Sequence, residues 1–144
     1  FRGEAKRRGM SLSDFGALCT TDLEVDRQLD ALLQERMSAT GAEEIVESRL
    51  SGWWAYRLNL DCVRLWVDVE DEERARRVVA REGGTIEEAL EANAKRTSVD
   101  AERFTELYGI LPEQREPYTI VLDGTHLGRD EVLAAVIEHL EATA

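Results

Sequence analysis

Ile45-Val46-Glu47-Ser48-Arg49-Leu50-Ser51-Gly52-Trp53 reads as a short apolar strand that ends in an arginine and a tight turn. An acid, an arginine and a glycine at the mouth of a buried strand suit phosphate chemistry. The Glu47 carboxylate can hold a metal or its water, and the Arg49 guanidinium can fork onto phosphate oxygens. Gly52 lets backbone approach a ligand closely. A plain strand end with one solvated arginine would use the same residues, so the decision rests on what flanks them.

Two further strands follow. Val63 to Val69 is rich in β-branched and aromatic residues, and Tyr118 to Asp123 repeats that character. With 44–48 they give three strands separated by long helical stretches, which predicts an α/β layer with a parallel sheet. Three strands are few for a sheet whose faces and edges need cover, so the sheet reads as incomplete.

The helices have clear start and stop signals. Residues 4–19 read as helix broken at Gly9, with Ser11 or Ser13 capping the second part and Leu12, Phe15, Leu18 and Cys19 on its apolar side. Thr21 or Asp22 caps a helix to about Met37, which Thr40-Gly41 ends. A short helical or irregular piece covers 53–60. Asp71 caps a helix to Glu82, stopped by Gly83-Gly84. Thr85 and Glu88 have capping-box spacing at the head of a helix to about Tyr108, with a possible interruption at Ser98-Val99. Asp130 caps a final helix that buries Val132, Leu133, Val136, Ile137 and Leu140.

The chain has 144 residues, 43% of them hydrophobic, enough for one domain with a core. No apolar run reaches membrane-span length, and the opening Phe1-Arg2-Gly3-Glu4 has no signal-peptide core behind it. The expectation is a cytoplasmic protein without membrane contact, starting at an interior cut. The net charge of −12 opposes binding to a nucleic-acid backbone. Cys19 and Cys62 lie far apart without metal-ligand spacing, and both read as reduced, buried apolar residues. His126 and His139 are isolated.

Sixteen arginines stand against two lysines, Lys6 and Lys95. Arg77 and Arg81 share a helix face, and so do Arg96 and Arg103, seven residues apart. Nearby glutamates can neutralise Arg74 and Arg76. Arg81, Arg96 and Arg103 border a glycine-hinged helical hairpin able to close over a polyphosphate.

Several of these elements resemble cytidylate kinases of the archaeal type, a family of P-loop nucleoside monophosphate kinases. Gly9-Met10-Ser11-Leu12-Ser13-Asp14-Phe15 is similar to the family's G-M-S-L-x-x-F element, and Val25-Asp26-Arg27-Gln28-Leu29-Asp30 to its I-D-x-x-L-D element. Arg49-Leu50-Ser51-Gly52-Trp53 resembles its G-R-L-A-G-W turn, and Arg103-Phe104 with Leu107-Tyr108-Gly109-Ile110 its R-Y-x-x-x-Y-G-I segment. The likeness runs along nearly the whole chain, and the turn and the Y-G-I element together are fairly specific.

The resemblance implies a three-layer P-loop kinase-like α/β/α domain with a parallel sheet, residues 1–40 facing the acceptor nucleotide and 81–110 forming a lid. It implies ATP-dependent phosphoryl transfer to CMP or dCMP with Mg2+, by a monomer. Arg2, Arg49, Gly52 and Asp26 would bind the acceptor, and Arg96 and Arg103 would serve catalysis. Arg81, Thr125 and His126 would border ATP, and Glu47 would reach magnesium through water. Such transfer depends on positioning and electrostatics.

Ser48 stands where the family has glycine, and Thr97 and Val99 where its lid often carries charge. No G-x-x-x-x-G-K-[ST] motif occurs, so the single domain reads as lacking its P-loop and first strands. The expectation is a kinase inactive as this chain alone. A P-loop-less binding or structural module, or an adenylate or shikimate kinase-like enzyme, is the alternative.

Overall fold

In the computed structural model the described residues are 2–39, 41 and 45–143, without the side chains of Arg2, Leu12, Ser13 and Thr143. Helices α1 (Arg2–Arg7), α2 (Leu12–Thr21), α3 (Leu23–Ser38) and α4 (Ser51–Arg57) precede strand β1 (Leu65–Asp68). Helices α5 (Asp71–Glu82) and α6 (Ile86–Tyr108) lead to β2 (Ile120–Asp123), and α7 (Arg129–Thr143) follows. The chain forms two compact units, Phe1–Ser51 with Val99–Pro112, and Gly52–Ser98 with Glu113–Ala144.

The first unit is helical. Gly9, at φ +66°, separates α1 from α2, a left-handed conformation that glycine adopts without strain. The Ser11 hydroxyl caps α2 by accepting the Asp14 N–H at 3.0 Å, and Asp22 caps α3 by accepting the Glu24 N–H. Phe15 and Cys19 lie one turn apart on α2, as do Val25 and Leu29 on α3, so each pair shares a face. Ala5, Phe15, Cys19 and Val25 form the core, flanked by Met10, Leu18 and Leu29.

The second unit holds the sheet. β1 and β2 pair in parallel, from Leu65 opposite Ile120 to Asp68 opposite Asp123. Parallel neighbours need a long crossover, and α5 and α6 lie within it. Gly83 and Gly84, at φ +83° and +90°, end α5. Thr85 and Glu88 then exchange side-chain and backbone hydrogen bonds of 3.0 and 3.2 Å, a complete capping box opening α6. The fold is thus helix-rich α/β with parallel strands, as the alternation of elements predicts. No helix among the described residues is long and apolar enough to cross a membrane.

Five expectations need correction. Residues 45–48 form no strand, and Ile45 is 86% exposed. A strand exists only through its ladder, and no described residue pairs with this segment. Glu44 and Thr40 lie outside the described residues. Asp71 and Asp130 are not caps but stand within the first turns of α5 and α7. Acids are favoured there by the helix dipole, which gives them the same sequence signature as a cap. α6 runs unbroken through Ser98-Val99, because one β-branched residue costs little inside a long helix. α7 leaves Leu133, Ile137 and Leu140 exposed, for no described element covers that face. Cys62 is exposed rather than buried, in the loop before β1.

Candidate functional site

In the first unit the turn after residue 47 is tied by two serines. The Ser48 hydroxyl accepts the Leu50 N–H at 3.3 Å, and Ser51 bonds back to the Ser48 backbone. Ser48 has no positive φ, so the turn accommodates a side chain where the resembling family has glycine. Leu50 plugs into the unit's interior at 1% exposure, which leaves Arg49 turned the other way, partly in solvent.

Arg49 meets a buried ionic cluster. Its Nη2 donates to Oδ2 of Asp100, whose Oδ1 accepts from Nη2 of Arg103 at 3.0 Å. Arg103 also lies 3.0 Å from Asp26 Oδ2 through Nε. That second contact is an ion pair without a hydrogen bond, since both atoms lack a partner in hydrogen-bond geometry. Arg103 and Asp26 are about nine-tenths buried, and the Arg103 guanidinium lies 4.7 Å from the Phe104 ring centre. Burial pushes the Asp26 carboxyl up, opposed by the charge of Arg103. Burial first, then Asp26, raises the neighbouring Cys19 thiol to about 11. Tyr108 donates its hydroxyl to Asp30 at 2.7 Å, and burial with that hydrogen bond raises its pKa far above the usual range.

This cluster unites three of the expected site residues, Arg49, Asp26 and Arg103. Sequence reasoning missed Asp100, which joins two of them. Its position three residues before Arg103 on α6 was the available signal. Arg103, expected as a lid arginine, is pinned between two carboxylates. Arg2 opens α1, but its side chain is not among the described ones. Glu47 is exposed, and no group of three or more His, Cys, Asp or Glu able to hold a metal occurs among the described residues.

In the second unit Gly52 is buried in α4, where a Cβ would collide with the Tyr118 ring. The missing side chain therefore serves packing. Arg96 is exposed on α6 and makes no ion pair among the described residues. Thr125 is buried, its hydroxyl accepting the Glu70 N–H at 3.1 Å and its own N–H bonding Asp123 at 2.9 Å. Thr125 and the exposed His126 border a groove of about 740 Å³ with Val67, Arg77, Leu127 and Val132. Arg81 pairs with Glu82 at 2.6 Å and does not line it. Arg77, one turn earlier, does. Its Nη2 donates to the carbonyls of Gly124, Thr125 and Leu127, which sets the loop after β2.

The chain is similar to curated proteins along almost all its length. The cytidylate kinase of Thermococcus kodakarensis is 36% identical over 143 residues, covering 97% of this chain and 72% of that protein. That of Pyrococcus furiosus is 35% identical over 144 residues, with 98% and 72% covered. That of Halobacterium salinarum is 32% identical over 143 residues, with 99% and 72% covered. No family model matches the chain, and no solved structure matches it.

Proposed function

The chain belongs to the cytidylate kinase family, and from that premise we propose that the protein transfers the γ-phosphoryl group of ATP to CMP or dCMP. The observation that carries the reading is the Arg49, Asp100, Arg103 and Asp26 cluster, because a guanidinium held by a carboxylate is poised for phosphate. Arg49 grips the acceptor monophosphate through a forked pair of hydrogen bonds. Arg2 assists it. Arg103, already oriented, supplies a fixed positive charge, and the exposed Arg96 supplies a movable one as charge develops on the transferring group. Asp26 serves the acceptor side by holding Arg103, and Gly52 by packing α4 against Tyr118.

The donor side draws on the groove at Thr125 and His126, with Arg81 one turn after Arg77, which lines it. A Gly-Lys-Ser/Thr phosphate cradle does not occur in these 144 residues. Magnesium, when bound, neutralises phosphate charge. A single exposed carboxylate such as Glu47 suits a water of a hydrated Mg2+ and does not make a cage, which fits the habit of that ion of keeping its waters.

The test is an acceptor panel. The protein expressed from its intact coding sequence is given ATP, Mg2+ and CMP, dCMP, AMP, UMP or shikimate. Transfer to CMP and dCMP well above the others is expected. Preference for AMP or shikimate identifies another small-molecule kinase, and no transfer to any acceptor identifies a binding module.

A further inference from the structure

We propose that Arg77 is a positioning residue for the donor side, holding the loop after β2 in the form that receives the base of ATP. This rests on the reading of the groove at Thr125 and His126 as the donor site. The Arg77 Nη2 donates to the carbonyls of Gly124, Thr125 and Leu127 at 2.8, 3.2 and 3.1 Å. Carbonyl oxygens that converge on one point repel one another, so the loop keeps that form only around a cation. Nε of the same guanidinium donates to Glu73 at 2.9 Å, one turn earlier on α5. Arg77 therefore carries the placement of α5 to backbone 47 to 50 residues later. Thr125 has further ties, to Glu70 and Asp123, whereas Leu127 lies on the groove wall itself. Val67, Leu127 and Val132 line the groove of about 740 Å³ beside Thr125 and His126. Apolar walls with a few polar groups suit a flat heteroaromatic base. With Nε and Nη2 turned to the protein, Arg77 acts on that base through the loop.

The experiment is steady-state kinetics of the protein expressed from its intact coding sequence, with ATP and CMP each varied, for Arg77→Gln and Arg77→Lys. Tripolyphosphate, which resembles the donor's phosphates and has no base, is added as an inhibitor competing with ATP. Arg77→Gln removes the charge and should raise the KM for ATP about tenfold. Arg77→Lys keeps the charge, disturbs folding less, and should raise it about threefold. The KM for CMP and the inhibition by tripolyphosphate should stay within about twofold in both. Glu73→Gln in the Arg77→Gln background should add less than about twofold, since Glu73 acts through Arg77. An unchanged KM for ATP with a lowered melting temperature overturns the proposal, for Arg77 then serves the fold alone. Equal losses for ATP and tripolyphosphate also overturn it, for Arg77 would then meet the phosphates. Leu127→Glu, which puts a charge on the groove wall, separates the proposal from the reading beneath it. If that variant leaves the KM for ATP unchanged, the donor-site reading fails, and the proposal with it. If it raises the KM for ATP while both Arg77 variants do not, the reading stands and the proposal alone falls.

Discussion

Arg103 and Arg96 lie two turns apart on α6, yet they live in opposite surroundings. Arg103 faces two buried carboxylates, whereas Arg96 stands in solvent. Removing Arg103 leaves Asp26 without its cation and Asp100 with one partner fewer. Arg103→Ala is expected to cost about 3 kcal/mol and to lower the thermal midpoint by several degrees. Arg96→Ala should alter stability by less than about 0.5 kcal/mol while lowering kcat more than it raises the KM for CMP. Thermal melts and steady-state kinetics of both variants check this, and equal stability losses would contradict it. The pairing of Arg103 with Asp100 is legible in the sequence as an i,i+3 contact on one helix. Its pairing with Asp26 is not, because 77 residues separate the two and only the tertiary fold brings them together.

At the scale of elements, the ends of β1 and β2 carry Asp68 and Asp123 directly opposite each other. Asp68 is held below its ordinary 3.8 by the hydrogen bond from Arg115, 3.0 Å away. Asp123 is lowered by its hydrogen bonds with Thr125. A carboxyl whose folded pKa is depressed contributes stability above its unfolded value and loses it as pH falls through the folded one. The unit holding the sheet should therefore lose stability below about pH 4. Asp68→Asn should flatten that loss, as acid titration followed by circular dichroism would reveal. On α5, Arg77 sets Nη2 against three carbonyls and Nε against Glu73, two edges of one plane that one ammonium cannot reproduce. Arg77→Lys should cost roughly 1 kcal/mol in denaturant melts and loosen the Thr125 loop, discounted for partial exposure. β1 and β2 were readable because their apolar and β-branched runs suit a parallel ladder, although Val67 and Val121 stay exposed. The segment 45–48 has similar composition, but no described residue pairs with it, so composition overstated it. The glycine stop and capping box between α5 and α6 were fully legible, since both are local chemistry.

For the whole molecule, a net charge of −12 contrasts with the cluster in the first unit, in which two guanidiniums and two carboxylates balance. On the proposed reading the acceptor phosphate meets Arg49, the more exposed of the two guanidiniums, so Arg49 should dominate its capture. A protein made of these 144 residues alone should transfer no phosphoryl group above a blank, for they contain no phosphate-cradling loop or its lysine. The most direct measurement is steady-state kinetics of Arg49→Lys in the intact protein, with CMP and ATP each varied in turn. Lysine keeps the charge and loses the fork. The KM for CMP should rise about tenfold or more while the KM for ATP stays within about twofold. A KM for CMP left untouched by the substitution would contradict the assignment of Arg49 to the acceptor phosphate.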